Sequence, residues 1–507
     1  MTRTNPWFIA PLVALAAFME VLDISIANVS LQHIAGNLGA SPEESTWILT
    51  AYLITNAIAL PVSGWMSEYF GRTRFFNACI LGFTVASLAC GTATSLEALI
   101  LFRTIQGLTG GALQPVSQAI LADVFPPSKH GMAFAIYGIA VVAAPAIGPT
   151  LGGWITDTYS WHWIFLINVP VGLVLLMLLK RYLPADDAPE AHTRKPVDYI
   201  GFGLIATGLG ALQWVLDRGQ TEDWFNSDVI VGMTLLCIVA TGYYIARALD
   251  QEAPIIDLSL FRYRNYALAN LVMFILGAVL MGSTAMLPLF MQMLLGYTAL
   301  DAGLVLSPGG LAIMVMMPVV GRLSSKLDLR ALITAGLLCS AAALWTLGNL
   351  TLSISHEQLV WLRVWQAAGL AFLFIPTTTI GFSGLPPGAT NQASAMMAFM
   401  RNLGGAVGIA VLVTFLTRIT DMDRVIFVAH SDPASPRWQL YYQHLLELTG
   451  SPERALRLAD LRWTAQGQLD AFSTGFRGLA LLFLALIPAI WRVRRLPPAA
   501  QGPAGAH

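Results

Sequence analysis

The sequence predicts an all-α membrane protein with fourteen transmembrane helices: two six-helix bundles and two further helices inserted between them. Three observations predict it. The 507 residues are 56% hydrophobic and only 11% charged, with a mean hydropathy of +0.65, where soluble domains carry about a quarter charged residues. Apolar runs long enough to cross a bilayer recur along the chain. Short motifs in the first part of the chain return in the second. The net charge of −1 gives no footprint for nucleic acid. The four cysteines (Cys79, Cys90, Cys237, Cys339) lie within apolar runs and read as small core residues, with no disulfide framework.

A spanning helix needs roughly 20 mostly apolar residues. In order, the candidates are 8–31, 46–66, 75–94, 97–123, 132–156, 162–182, 199–216, 227–248, 266–290, 300–323, 331–351, 357–381, 394–416 and 471–492. The first run contains acids, lacks a small-residue cleavage site and is too long for a signal-peptide core, so it is expected to remain as a span. The expected domains are a first bundle over 1–182, an inserted pair with its linker over 183–248 and the first five helices of a second bundle over 249–416. An outer loop over 417–470 and a last helix with its tail over 471–507 complete the chain.

Lys and Arg set the orientation. With the N-terminus in the cytoplasm, the inner loops collect Arg72, Arg74, Lys129, Lys180, Arg181, Arg247, Arg262, Arg264, Arg322, Lys326 and Arg330, while the short outer loops hold only Arg218. The six arginines of 417–470 fall outside, where a long loop is largely exempt from the charge rule. Both termini are therefore expected in the cytoplasm. That loop mixes charge with Trp438, Tyr441, Tyr442 and several leucines. It either lies on the membrane, contacts a partner or is a solvated loop.

Arg103 and Gln106 in the fourth span recur as Arg363 and Gln366 in the twelfth, offset by 260 residues. Pro61-Val62-Ser63-Gly64 recurs as Pro318-Val319-Val320-Gly321, offset by 257. Two related halves with a site near the midplane between them are a recurring transporter plan.

Glu20 and Asp23 are the acids that lie well inside a span, and their spacing of three puts them on one helix face. A carboxylate at that depth must be protonated, paired or wetted, the properties of a proton carrier. Arg103 enters the fourth span about 9 Å deep, and Asp23 lies about 12 Å from the outer end of the first, so they are expected to meet directly, through Gln106 or through water. Arg103 satisfied by backbone carbonyls is the alternative. Arg363 and Arg401 have no matching acid on their own half, so the proton machinery is expected to be asymmetric. Glu20, Asn28, Gln114, Gln118 and Arg401 are the candidate cargo-binding side chains. In the fifth span, Pro145, Gly148, Pro149, Gly152 and Gly153 permit a kink and close helix approach, either as a seal against proton leak or as ordinary packing. Gly64, Gly71 and Arg72 occupy the turn after the second span, either as a latch or as a positive anchor. The spans contain no HExxH, no GxSxG and no deep histidine, so neither an enzyme, a metal site nor a cofactor is expected.

These residues resemble the 14-helix drug:proton antiporters of the major facilitator superfamily, in particular permeases of the EmrB/QacA type. The segments that carry the resemblance are 18–29, 64–74, 101–107, 144–153 and 401–405, in order and on the matching spans. Tyr69, Thr73, Glu68 and Ala144 depart from the usual residues of two of these motifs. The resemblance implies the major facilitator fold in a bacterial inner membrane. It implies proton-driven export of hydrophobic or amphipathic compounds, with a periplasmic adaptor and an outer-membrane channel as partners. Fatty acids, siderophores or a biosynthetic product are alternative cargoes on the same fold.

Overall fold

The computed structural model describes residues 5–183, 198–251, 254–349, 351–386, 388–429 and 435–494. Among them every regular element is helical, as expected of a chain whose backbone must satisfy its own hydrogen bonds within lipid. The first bundle comprises α1 (Pro6–Leu38), α2 (Pro42–Ser45), α3 (Trp47–Phe70), α4 (Arg72–Cys90), α5 (Leu96–Gly110), α6 (Leu113–Val124), α7 (His130–Thr158), α8 (Trp163–Leu166) and α9 (Asn168–Tyr182). The inserted pair is α10 (Tyr199–Arg218) and α11 (Asp228–Asp250). The second bundle comprises α12 (Arg264–Leu294), α13 (Ala299–Leu323), α14 (Leu329–Leu347), α15 (His356–Phe382), α16 (Thr390–Ala429), α17 (Pro436–Thr449) and α18 (Pro452–Trp491).

Among the described residues twelve spans are long apolar helices, and α7 supplies another, bent by 44° across the junction of Pro145 and Ile147. Prolines at 145 and 149 explain the bend, because each removes a hydrogen bond from the helix ladder. The fourth span, expected as one run over 97–123, is split: α5 stops at Gly110 and α6 starts at Leu113. Glycines also press this broken span onto α3. A Cβ at Gly107 would stand 2.5 Å from the Tyr52 carbonyl oxygen, and one at Gly111 would stand 2.7 Å from that of Asn56.

The expected outer loop over 417–470 is helical over most of its length, a correction to the sequence reading. α16 continues without a break to Ala429, and α18 is already formed at Pro452. Each has 40 residues, about 60 Å of helix against a hydrocarbon core of about 30 Å. With α17 they build a protrusion around buried Leu445, Ala455 and Ala459, roofed by Trp438, Tyr441, Tyr442 and Trp463. Arg424 pairs with Asp460 at 2.8 Å across it, and Gly450, at φ 66°, lets the chain turn from α17 into α18.

The two bundles touch through α7 with α13 and α15, and through α16 with α3 and α6. These contacts gather at the end of the molecule that carries the α3–α4 turn. There a Cβ at Gly64 would lie 2.9 Å from Gln392 Cα, and one at Gly131 would lie 2.6 Å from the Gly321 carbonyl oxygen. Phe134 stacks on Phe382, and Tyr137 on Phe374, at 5.6 and 6.1 Å between ring centres. The bundles are thus closed at that end. α10 and α11 pack on each other and, through α10, on α3 and α16. α11 is exposed over most of its apolar length, so this pair presents its outer face to lipid.

Candidate functional site

Asp23 and Glu20 project from the middle of α1 into two adjoining polar networks, and both are buried. Asp23 accepts from Arg103 Nη1 at 2.5 Å, from Gln106 Nε2 at 3.0 Å and from Asn168 Nδ2 at 2.8 Å. Gln106 also donates to Ser87 at 2.6 Å and accepts from Arg103 at 2.8 Å. Arg103 is fully buried. Its guanidinium carbon lies 4.2 Å from the centre of the Tyr52 ring, and its Nε donates to the Ile48 carbonyl at 3.4 Å. A charge pair this deep needs hydrogen bonds to its remaining atoms, and α3, α5 and α9 each bring one, while Ser87 of α4 holds Gln106 and Asn168 and Arg103 Nη2 has no partner among the described residues.

Glu20, one turn away, accepts from Asn56 Nδ2 at 2.9 Å, from Gln114 Nε2 at 2.5 Å and from the Tyr52 hydroxyl at 3.5 Å. The same Gln114 amide turns its oxygen to Arg401 Nη2 of α16 in the second bundle. Glu20–Gln114–Arg401 is therefore a buried chain that crosses from one bundle to the other. Arg401 also lies 5.6 Å from the centre of the Phe374 ring, next to the stacked Tyr137.

The expected site residues divide. Glu20, Asp23, Arg103, Gln114 and Arg401 come together in the two networks. Gln118 is buried nearby on α6, with its Oε1 lacking a hydrogen-bond partner among the described residues. Asn28 stands apart: it lies exposed on α1, eight residues beyond Glu20. Arg72 donates to Asn391 of the second bundle at 2.6 Å and pairs with Asp123 at the end of α6. Gly64 meets that same segment, and Gly71 takes φ 86° in the turn that starts α4. In α7, Gly148 and Gly152 pack on Ser25 and Ile26 of α1, and a Cβ at Gly148 would run into Ser25 Oγ. Gly153 faces open space. Tyr52, Asn56, Ser87 and Asn168 were not anticipated, although each is a polar residue inside an apolar run.

Two helical bundles enclosing buried carboxylates define a membrane carrier of the two-bundle kind. The family model of the Major Facilitator Superfamily matches residues 13–409, and the chain belongs to that superfamily. It is 36% identical to the fatty acid resistance protein FarB of Neisseria gonorrhoeae over 97% of this chain and 96% of that protein. It is 36% identical to the multidrug export protein EmrB of Escherichia coli K12, over 98% of this chain and 96% of that one. Among solved structures, the proton:xylose symporter XylE aligns with a TM-score of 0.61 at 14% identity, covering 97% of this chain and 96% of its own. The human organic anion transporter MFSD10 aligns at 0.60 and 16%, covering 96% and 99%. At these identities the two structures speak for the fold alone.

Proposed function

We infer that this chain is a proton-coupled exporter that moves hydrophobic or amphipathic compounds, including fatty acids, across the inner membrane by alternating access. The observation that carries the reading is the Glu20–Gln114–Arg401 chain, which ties a membrane-buried carboxyl to the contact between the bundles. Ionised, Glu20 only accepts hydrogen bonds. Once protonated it also carries a donor, and the Gln114 amide must give up part of its hold on it. The bond to Arg401 weakens with that change, and the closed end is released. Asp23 acts beside it: adding a proton removes the charge that Arg103 faces, and losing it restores the pair. A proton taken from one side and released to the other thereby drives the bundles between two states, while cargo moves the opposite way.

Near-full-length similarity to relatives named for multidrug export and fatty acid resistance supports the cargo class. The Lys/Arg asymmetry supports cytoplasmic termini and a periplasmic protrusion. The α16–α18 protrusion is the surface we assign to a periplasmic adaptor, which would lead on to an outer-membrane channel.

Purified protein in liposomes, with an imposed pH gradient, tests the core of this reading. Asp23→Asn and Glu20→Gln variants that insert normally are expected to lose substrate-dependent proton release. Normal release by the Asp23→Asn protein would remove Asp23 from the coupling role.

A further inference from the structure

Four arginines are buried among the described residues: Arg103, Arg330, Arg363 and Arg401. Three are tied to a carboxylate. Arg103 pairs with Asp23, Arg330 with Asp328 at 2.8 Å, and Arg401 reaches Glu20 through Gln114. Arg363 on α15 is the exception. It is 7% exposed, and its Nη1 donates to Gln366 Oε1 at 2.9 Å. Its Nη2 donates to Thr284 Oγ1 at 3.1 Å, and its Nε has no hydrogen-bond partner among the described residues. Neutral amide and hydroxyl oxygens do not balance a buried cation, whose isolation in a low-dielectric interior is strongly unfavourable.

The internal repeat tells what is missing. Arg363 and Gln366 stand 260 residues after Arg103 and Gln106, and Ser283 stands 260 after Asp23. The hydrogen bonds agree with that register. Gln106 Nε2 donates to Asp23, and Gln366 Nε2 donates to Ser283 Oγ at 2.7 Å. The second half thus keeps the cation and its glutamine and replaces the carboxylate by a hydroxyl. The aromatic cover is gone as well: Gly309 stands 257 residues after Tyr52, the offset of the proline-glycine repeat on the same helices. A Cβ at Gly309 would lie 2.8 Å from Arg363 Cγ and 3.2 Å from its Nε, so the bare glycine lets the arginine stem lie against α13. Thr284, next to Ser283 and hydrogen-bonded to Arg363 Nη2, is partly exposed.

We propose that Arg363, with the hydroxyls of Ser283 and Thr284, binds the carboxylate head of an amphipathic acid, the cargo supplying the counter-ion that Asp23 supplies in the first bundle. The guanidinium offers donors in a planar fork suited to a carboxylate, and two hydroxyls beside it satisfy further lone pairs. This site deepens the transport reading and rests on it for the word cargo. A cationic or neutral amphiphile gains nothing there, so the site discriminates by charge within a carrier whose cargo is otherwise chosen by apolarity.

The test is binding by the full chain in nanodiscs of zwitterionic lipid, without a proton gradient, using dodecanoate, dodecanol and dodecyltrimethylammonium as probes. Wild type is expected to bind dodecanoate more tightly than dodecanol. Arg363→Gln is expected to weaken dodecanoate about tenfold or more and leave dodecyltrimethylammonium unchanged. Ser283→Asp, which installs an internal counter-ion, is expected to do the same, so the test survives if Arg363→Gln fails to fold. Equal binding of acid and alcohol by wild type, or unaltered dodecanoate binding by Ser283→Asp, would overturn the proposal. So would loss of dodecanoate binding when phosphatidylglycerol is added to the discs, because the site would then belong to a lipid phosphate. Tight, Arg363-dependent binding in a protein that releases no protons against the acid would refute proton exchange and leave this site standing.

Discussion

Gln114 places the donor and the acceptor of one amide on different bundles, Glu20 on one side and Arg401 on the other. Gln114→Ala is expected to leave both charged groups short of a buried partner, at about 1–3 kcal/mol each before relaxation. The measurement is substrate-dependent proton release in liposomes beside thermal unfolding. The coupling signal should fall further than the loss of stability explains, and unchanged coupling would remove Gln114 from the link. At this scale the charges were legible from the sequence, because an acid or an arginine inside an apolar run has few structural excuses. Their neutral partners were not. Asn56, Ser87 and Asn168 are ordinary polar residues of membrane helices, and Asn168 stands 145 residues from the Asp23 it serves. The Gln114–Arg401 bond spans 287 residues and leaves no mark on helical periodicity.

The elements were legible wherever apolarity and helicity coincide, and not where they part. Residues 417–470 read as a loop because charge interrupts the hydropathy, yet a helix outside lipid needs no apolar face all round, and α16 and α18 simply continue. The split between α5 and α6 was hidden for the opposite reason, since Gly110, Gly111 and Ala112 break a helix without breaking an apolar run. The inserted pair depends on its own cap. Asp198 accepts from the Gly201 N–H at 2.9 Å and pairs with Arg247 at 3.0 Å. Burial pushes its carboxyl up, but Arg247, the Gly201 N–H and Gln251 together outweigh that and hold it below the ordinary aspartate value. Its contribution is therefore full above the ordinary value and fades as acid titrates it. Asp198→Ala is expected to cost about 1 kcal/mol at neutral pH, the loss of one helix cap. Thermal unfolding of wild type and variant should converge in acid; a gap that persists there would assign the loss to packing.

For the whole molecule, alternating access requires the closed end to open and close, and glycine sets how tightly it closes. A Cβ at Gly321 would lie 2.8 Å from the Gly131 carbonyl oxygen. Gly321→Val is expected to penalise the closed state by about 1–3 kcal/mol and shift the balance of states at least about fivefold. Cargo binding should persist while transport by the reconstituted protein slows. Unimpaired transport would mean that this crossing does not limit the cycle.

One helix, α16, carries Asn391 against Arg72 of the first bundle, Arg401 at the buried bridge and Ala429 in the protrusion, on a single rod about 60 Å long. A slight tilt at its buried middle is magnified at its free tip, so the protrusion is expected to move whenever the contact between the bundles changes. A partner that gripped the protrusion would resist that movement and so slow the exchange between the two bundle arrangements.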